Sequence, residues 1–237
     1  TTCTHRCVWC WRDINHTTPK WQGKAESPDK IIDGCIQAHK KLLYGFGGNE
    51  KTNRKRYAEA MQPMHFAISL SGEPTMYPML PQLVDALKKR NITSFIVTNG
   101  THPEMLKKLI KHQPTQLYLT LPAPDEKTNK KSCVPLINGG WKKILQSLKL
   151  LKKFKRSAIR LTLAKDINLV NPEGYAKLIK KANPNFVELK AYMAVGFSKK
   201  RLGYKFMPQS KEILEFAKKV AKAANLKIIK QKKESRV

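Results

Sequence analysis

The segment TSFIVTNGTHPEMLKKLIKHQPTQLYLT, residues 93–120, places two short apolar runs on either side of a basic one. The first run, 93–98, is closed by an Asn-Gly turn signal, and the last, 116–121, has the same apolar character. The middle run, 103–112, has the apolar spacing of a helix. A strand, a helix and a second strand in this order predict two parallel strands joined by a right-handed crossover.

The same alternation extends in both directions along the chain. Further strands are predicted at residues 65–71, 158–164 and 186–193, and helices at 79–89, 140–153, 172–182 and 210–224, with a last apolar run at 226–229. Five or six such units predict an α/β fold in one domain, residues 1–237, whose parallel sheet forms a barrel or partial barrel. Chemistry in such folds gathers at the carboxyl ends of the strands. The segments that fall there are Gly72-Glu73-Pro74, Thr98-Asn99-Gly100 and Lys165.

The chain carries 46 Lys and Arg against 17 Asp and Glu, a formal net charge of +29 at pH 7. This excess favours a polyanionic partner, nucleic acid above all, although a membrane surface or a solvated surface rich in Lys would also fit. No run approaches the ~18 consecutive apolar residues of a membrane span, and the first residues lack the pattern of a secretory leader. The hydrophobic share of 41% is enough for a real core, which excludes a wholly disordered chain.

The five cysteines are unevenly distributed, with three crowded together and two alone: Cys3, Cys7, Cys10, Cys35 and Cys133. This is unlike the disulfide framework of a secreted protein and favours a metal site in a reducing, intracellular compartment. A CxxxCxxC loop can hold three corners of a 4Fe–4S cube and leave the fourth iron open. Structural zinc, with His5 as the fourth ligand, is the alternative. Cys35 lies in a helical apolar pattern, residues 29–43, and is predicted to be buried packing.

Four sequence blocks include or accompany the cysteines. They are CVWCWRD at 7–13, with an aromatic residue before the last cysteine, HFAISLSGEPTMYP at 65–78, RLTL at 160–163 and VELKAYM at 187–193. On these motifs the chain resembles the radical S-adenosylmethionine superfamily and, within it, the 4-demethylwyosine synthases of tRNA wybutosine biosynthesis, over nearly its whole length. The resemblance implies a partial (βα)6-type TIM barrel.

The resemblance also implies two cofactors, a 4Fe–4S cluster and S-adenosyl-L-methionine. The cluster ligands it implies are Cys3, Cys7 and Cys10, and S-adenosylmethionine would chelate the open iron through its amino and carboxylate groups. The cofactor-binding residues it implies are Gly72, Glu73 and Pro74, which would accept the methionyl amino group, and Thr98 and Asn99 at the end of the next strand. Both segments are also ordinary turns. Pro122 departs from the family pattern, since relatives more often carry an acidic residue there.

By the same resemblance the substrates are tRNA and pyruvate. One electron from an external donor would cleave S-adenosylmethionine, and the deoxyadenosyl radical would take hydrogen from the methyl group of N1-methylguanosine, position 37 in the anticodon loop of tRNA-Phe. Addition to pyruvate, loss of carbon one of pyruvate and closure of a third ring would then give the tricyclic 4-demethylwyosine in a cytoplasmic, lyase-type reaction. Lys165 and Lys190, at strand ends, are candidates for holding pyruvate's carboxylate or forming an imine with its carbonyl, unless they are merely solvated. Arg160 needs an anionic partner if it points into the barrel.

The predicted phosphate contacts for tRNA are Lys199, Lys200 and Arg201, together with residues 51–56, although each group fits a solvated charge run equally well. Four aromatic residues would stack on unpaired bases or else belong to the core. They are Trp11, Trp21, Tyr44 and Tyr204.

Relatives in this family carry a second 4Fe–4S cluster, whose three cysteines precede the first motif. Cys35 and Cys133 cannot supply that set, so either the second cluster is absent or the chain is a fragment. The ending at residues 234–237, in the middle of a strand by resemblance, favours a fragment that lacks an N-terminal segment and the extreme C-terminus. Two rival functions are a radical S-adenosylmethionine enzyme with another substrate and a zinc-stabilised RNA-binding protein.

Overall fold

Five parallel strands form one sheet, in chain order from edge to edge, in the computed structural model, which describes residues 1–234. The strands are β1 (His65–Ile68), β2 (Thr93–Thr98), β3 (Gln116–Thr120), β4 (Ser157–Leu163) and β5 (Phe186–Ala191). Each strand pairs with the next one in sequence, for example with Ile96 of β2 opposite Leu117 of β3. This order requires a crossover between every two strands, as the alternating sequence pattern predicts.

The described residues contain nine α-helices, most of which lie in these crossovers. They are α1 (Pro28–Leu43), α2 (Arg54–Ala60), α3 (Leu80–Lys89), α4 (Pro103–Leu109), α5 (Glu126–Cys133), α6 (Gly140–Leu150), α7 (Pro172–Ala182), α8 (Ser198–Arg201) and α9 (Ser210–Ala224). Short 3₁₀ turns occupy Tyr44–Gly48, Pro74–Met76, Leu151–Lys153 and Tyr204–Phe206. Proline in the first turn marks the start of four of the helices, where its missing N–H and fixed φ are favourable. No helix within the described chain is long and apolar enough to cross a bilayer.

The core lies between one face of the sheet and the amphipathic helices. Side chains on this face, such as Ile96, Leu119 and Leu161, are fully buried and belong to one large apolar cluster with helical residues such as Leu106 and Ile179. Successive strand residues point to opposite faces, and the alternate positions are mostly only half-buried. We call this second face, around which a barrel would close, the inner face.

The parallel α/β fold and the partial barrel are confirmed, but the sheet has five strands rather than six in residues 1–234. The apolar run at 226–229 forms no strand. It lies instead along a groove of 690 Å³ that is lined by Ile213 and Val220 of α9 and by the start of β5. Its large apolar side chains, Leu226, Ile228 and Ile229, are exposed beside this groove. Residues 235–237, part of the predicted final strand, lie outside the described residues.

The prediction that Cys35 is buried is wrong. Its side chain is exposed, and among the residues of α1 only Ile32 is fully buried. The helix packs on α3, and the half-buried Ile31 and Ile36 complete a narrow stripe that does not extend to Cys35. An apolar spacing establishes that a helix has a buried face, but the width of that face depends on how many neighbours cover it.

Candidate metal centre

Residues 3–10, which we call the cysteine loop, lie beside the C-terminal end of α5. The backbone N–H of Arg6 donates to the carbonyl of Cys133 at 2.9 Å, and that of Val8 donates to Ser132 at 2.9 Å. On the other side, the N–H of Leu136 donates to the carbonyl of Thr4 at 2.8 Å. The loop is therefore held along its length by a segment more than a hundred residues away in sequence.

The carboxylate of Glu73 joins the ends of β1 and β2. Its Oε1 accepts hydrogen bonds from the N–H of Thr75 at 3.0 Å, from the Thr75 hydroxyl at 2.6 Å and from the Thr98 hydroxyl at 2.6 Å. Its Oε2 accepts from the backbone N–H of Asn99 at 2.8 Å. The side chain is only 6% exposed. The Glu73 carboxylate thus brings together the predicted cofactor-binding segments 72–74 and 98–99. Both of its oxygens already accept hydrogen bonds from within the chain.

The turn at Gly72 holds Thr2, the residue directly before the cysteine loop. The N–H of Glu73 donates to the carbonyl of Thr2 at 2.8 Å. Gly72 has a φ of +81°, and a Cβ at this position would lie 2.7 Å from the Thr2 oxygen. Both the left-handed backbone and the close approach therefore require glycine here.

The side chain of Asn99 connects the end of β2 to the same loop. Its Nδ2 donates to the Thr4 hydroxyl at 3.0 Å and lies 3.7 Å from the Sγ of Cys3. Its Oδ1 accepts from the N–H of Thr101 at 3.0 Å, and the hydroxyls of Thr4 and Thr101 are 2.7 Å apart. These contacts place the Cys3 thiol at the carboxyl end of the sheet, where sequence reasoning expected the chemistry.

The three thiols of the loop are half-buried and interact electrostatically. Burial raises the pKa of Cys3 to about 12, and the charges of Glu73, Cys7 and Cys10 add to this effect. Burial likewise raises the pKa of Cys10, while a hydrogen bond from the backbone of Arg12 opposes the shift. A bound cation reverses such shifts, because it stabilises thiolates. The donor set therefore fits a metal cluster with three thiolate ligands.

Arg201 of α8 contacts the cysteine loop directly. Its guanidinium donates to the carbonyl of Val8 at 3.3 Å, to that of Arg12 at 3.3 Å and, more closely, to that of Cys10. Of the three phosphate contacts predicted on α8, Arg201 thus forms hydrogen bonds within the protein itself. Lys199 and Lys200 are exposed, and their ammonium groups lie 5.2 Å from the ring of Tyr204 and 6.0 Å from the ring of Phe197.

The two lysines predicted to contact pyruvate have different surroundings. The Nζ of Lys165 lies 2.7 Å from the carboxylate of Glu212, in the first turn of α9. Lys190 lies opposite Thr162 of β4, and strand alternation places it on the inner face with Glu188. The next residue on that face, Tyr192, belongs to a small apolar cluster against which Trp9 of the cysteine loop packs. Lys190 is therefore two residues from a cluster that includes Trp9 of the cysteine loop.

Arg160 points to the inner face and has the anionic partner that this orientation requires. Its Nε and Nη2 donate to the two carboxylate oxygens of Glu188 at 3.1 and 3.3 Å. The guanidinium also lies 4.6 Å from the centre of the Tyr118 ring. The charge of Arg160 is therefore neutralised by Glu188. The guanidinium fixes the positions of neighbouring side chains and does not attract a distant anion.

Two buried residues near the site were missed by sequence reasoning. Asn168 is fully buried, accepts from the N–H of Ala164 at 2.7 Å and donates to the carbonyls of Pro122 and Thr162 at 2.8 and 2.7 Å. It joins the ends of β3 and β4 as Glu73 joins β1 and β2. The other residue is Cys133, whose Sγ lies within 4.8 Å of both the Cys7 sulfur and a ring nitrogen of His5. An isolated Asn or Cys has no local motif that would reveal such contacts.

Comparison with known proteins is consistent with this geometry. Residues 1–179 match the family model of the Radical SAM superfamily, and residues 181–237 match that of wyosine base formation. The chain is 46% identical over 224 residues to the S-adenosyl-L-methionine-dependent tRNA 4-demethylwyosine synthase of Pyrococcus horikoshii, covering 93% of this chain and 66% of that protein. Its identity to the synthase of Methanocaldococcus jannaschii is 36% over 249 residues, with coverages of 99% and 76%.

A solved structure, described as TYW1 with a lysine-pyruvate adduct bound, superposes with a TM-score of 0.88 at 34% identity. The superposition covers 99% of this chain and 74% of the chain in the solved structure. The chain thus spans about two thirds of the length of the Pyrococcus relative and about three quarters of the other two proteins.

Proposed function

Because the chain belongs to the tRNA 4-demethylwyosine synthase family of radical S-adenosylmethionine proteins, we propose that it carries out the radical step of wyosine formation on tRNA. The proposed substrates are N1-methylguanosine at position 37 of tRNA-Phe and pyruvate, and the product is the tricyclic 4-demethylwyosine. The reaction is of the carbon–carbon lyase type and takes place in the cytoplasm with an external electron donor. The supporting observation is the cysteine loop itself, held at the carboxyl end of a parallel sheet by Glu73 and Asn99.

Cys3, Cys7 and Cys10 would hold the 4Fe–4S cluster, which when bound supplies the electron for reductive cleavage of S-adenosylmethionine. Glu73 has a positioning role in this proposal, because its oxygens already accept four hydrogen bonds. The carbonyls of Glu73 and Pro74 also accept hydrogen bonds, from the N–H groups of Met76 and Tyr77, so the carbonyl of Gly72 is the acceptor that we assign to the methionyl amino group. The side chain of Asn99 orients the Cys3 sulfur through its amide N–H.

The second cluster implied by the resemblance has no ligand set in this sequence. Beyond the cysteine loop the chain has only Cys35, exposed on α1, and Cys133, buried at the end of α5. These two positions belong to different parts of the fold. The cofactors proposed for this chain are therefore one 4Fe–4S cluster and S-adenosylmethionine.

The proposal is tested by anaerobic reconstitution with iron and sulfide, followed by incubation with dithionite, S-adenosylmethionine, pyruvate and tRNA. We expect a broad iron–sulfur absorption band and release of 5′-deoxyadenosine that increases at least about tenfold when the tRNA carries N1-methylguanosine, because the enzyme is complementary to its own substrate. Release that is indifferent to this base would indicate another substrate. Bound zinc without the absorption band would favour the RNA-binding alternative.

Lys190 is the stronger candidate for pyruvate, since Lys165 is paired with Glu212. In the reconstituted chain, Lys190→Ala should abolish the pyruvate adduct that borohydride traps and lower product formation by roughly 100-fold, the usual scale for losing a covalent or positioning contact. Lys165→Ala is the matched control and should keep the adduct. Intact trapping in Lys190→Ala, measured by peptide mass spectrometry, would assign pyruvate to a different lysine.

Lys199 and Lys200 are the proposed tRNA contacts on α8. Replacing both with glutamine should weaken tRNA binding and reduce the steepness of the plot of log affinity against log salt by about one to two units. The reason is that fewer counterions are released from the tRNA when fewer of its phosphates are neutralised. The control is the exposed pair Lys180 and Lys181 at the end of α7, changed in the same way. The slopes are measured by filter binding. Equal slopes in the two double variants would show that Lys199 and Lys200 are solvated surface residues that do not contact tRNA.

A further inference from the structure

Cys133 lies buried against the cysteine loop but has no place in the proposed reaction. Its side chain is 1% exposed, and His5 is 3% exposed. One ligand atom from each of His5, Cys7 and Cys133 lies within 4.8 Å of the other two. Two of these residues come from the loop and the third from the end of α5, so the fold, rather than a local motif, creates the group.

The imidazole of His5 supplies an independent observation. Its Nε2 is buried and has no hydrogen-bond partner within the described residues. A buried polar atom without a partner is unfavourable, and in native proteins it calls for a specific explanation. Coordination to a metal would provide the missing partner, since neutral imidazole nitrogen is a common ligand.

The three donors suit zinc in chemistry and in spacing. Two thiolates and one imidazole are a frequent set for a zinc ion that keeps an open position. Zn–S bonds of about 2.3 Å and Zn–N bonds of about 2.0 Å place the ligand atoms of a tetrahedron roughly 3.5–3.8 Å apart. From separations of at most 4.8 Å, closure needs side-chain shifts of about 1 Å or less. The backbone is already in place, because the N–H of Arg6, between His5 and Cys7, donates to the Cys133 carbonyl at 2.9 Å.

We propose that His5, Cys7 and Cys133 bind zinc in the cluster-free chain, with an exchangeable fourth ligand. Cys7 belongs to this group and to the three cluster ligands, so zinc and the iron–sulfur cluster exclude one another. That exclusion rests on the proposed function, whereas zinc binding itself does not. The consequence is a second metal-bound state of the loop, in which Cys7 binds zinc together with Cys133 and is not a cluster ligand with Cys3 and Cys10.

Cobalt serves as the spectroscopic probe. The cluster-free chain, reduced and anaerobic, is titrated with Co²⁺, whose visible bands report four-coordination and whose near-ultraviolet absorption reports bound thiolates. Cys133→Ser should lower the Co²⁺ affinity at least about tenfold, as loss of even a supporting group does, and should remove roughly half of the thiolate absorption, since one of two sulfurs is lost. His5→Gln should lower the affinity in the same way while keeping both sulfurs.

Two cysteine variants distinguish this group from the cluster ligands. Cys3→Ser and the exposed Cys35→Ser should leave Co²⁺ affinity and spectrum unchanged, while Cys3→Ser alone should prevent cluster assembly. A Co²⁺ spectrum lost in Cys3→Ser but kept in Cys133→Ser would overturn the proposal, because the metal would then occupy the three cluster ligands. Circular dichroism confirms that each variant is folded.

Exclusion is measured separately. One equivalent of Zn²⁺ added before iron and sulfide should lower the yield of cluster at least about fivefold in the parent chain, and Cys133→Ser should restore it because its zinc affinity is lower. Equal inhibition in both proteins would contradict the exclusion. If neither protein assembles a cluster in the absence of zinc, the proposed function is wrong. The cobalt titration still tests the zinc site independently.

Discussion

Cys10→Ser should eliminate the iron–sulfur absorption of the reconstituted chain and lower 5′-deoxyadenosine release to below about 1% of the parent value, a larger loss than removing an outer-shell partner causes. The reason is that Cys10 supplies one of only three thiolates that the loop offers. Its loss leaves two sulfurs for a cube that needs three. Absorption spectra and iron content measure the loss of the cluster, and chromatography of deoxyadenosine measures the loss of release.

Cys35→Ser is the matched control for this variant. The residue is an exposed cysteine on α1, so the change removes a thiol from the same chain without touching the loop. We expect full cluster content and full deoxyadenosine release. A Cys10→Ser protein that retained the parent's iron content would show that the cluster has another ligand.

The second large effect is on stability. In the cluster-free chain, Glu73→Ala should lower the free energy of unfolding by roughly 3–5 kcal/mol, the scale expected when several buried donors lose a charged acceptor. The change leaves four donors without an acceptor: the N–H and hydroxyl of Thr75, the hydroxyl of Thr98 and the N–H of Asn99. Urea unfolding followed by circular dichroism measures the midpoint, and an unchanged slope shows that the surface exposed on unfolding is the same.

Two further variants define the origin of that loss. Glu50→Ala removes an exposed carboxylate outside the sheet and should change the free energy of unfolding by less than about 0.5 kcal/mol. Glu73→Gln keeps one acceptor oxygen but places an NH₂ group where the structure needs a second, so an intermediate loss is expected. If Glu73→Ala unfolds at the same urea concentration as Glu50→Ala, the four hydrogen bonds contribute nothing to stability.

Sequence patterns predicted the strands and helices well because each strand is apolar and each crossover helix has one apolar face. They also located the cysteine loop and the turns at Glu73 and Asn99, since these lie at strand ends in a parallel fold. The apolar run at 226–229 forms no strand, because a short apolar run does not by itself determine the secondary structure of a segment. In the structure its large apolar side chains are exposed at a groove beside α9.

The contacts around the loop were beyond sequence reasoning for a different reason. Arg201 stands in a basic run and gives the same local signal as a solvated lysine, yet it reaches three carbonyls near residue 10. Cys133 is an isolated cysteine whose only relation to Cys7 is spatial. Both depend on long-range packing, which a window of neighbouring residues does not contain.

The backbone hydrogen bonds of the cysteine loop bear on which changes the segment tolerates. Donors and acceptors at Thr2, Thr4, Arg6 and Val8 are each matched to a fixed partner elsewhere in the chain. A substitution between the cysteines leaves this ladder intact, because main-chain groups make it. Inserting or deleting one residue shifts every later partner out of register and moves the sulfurs with it. The length of this segment is therefore constrained by its main chain, in addition to the constraints on its buried side chains.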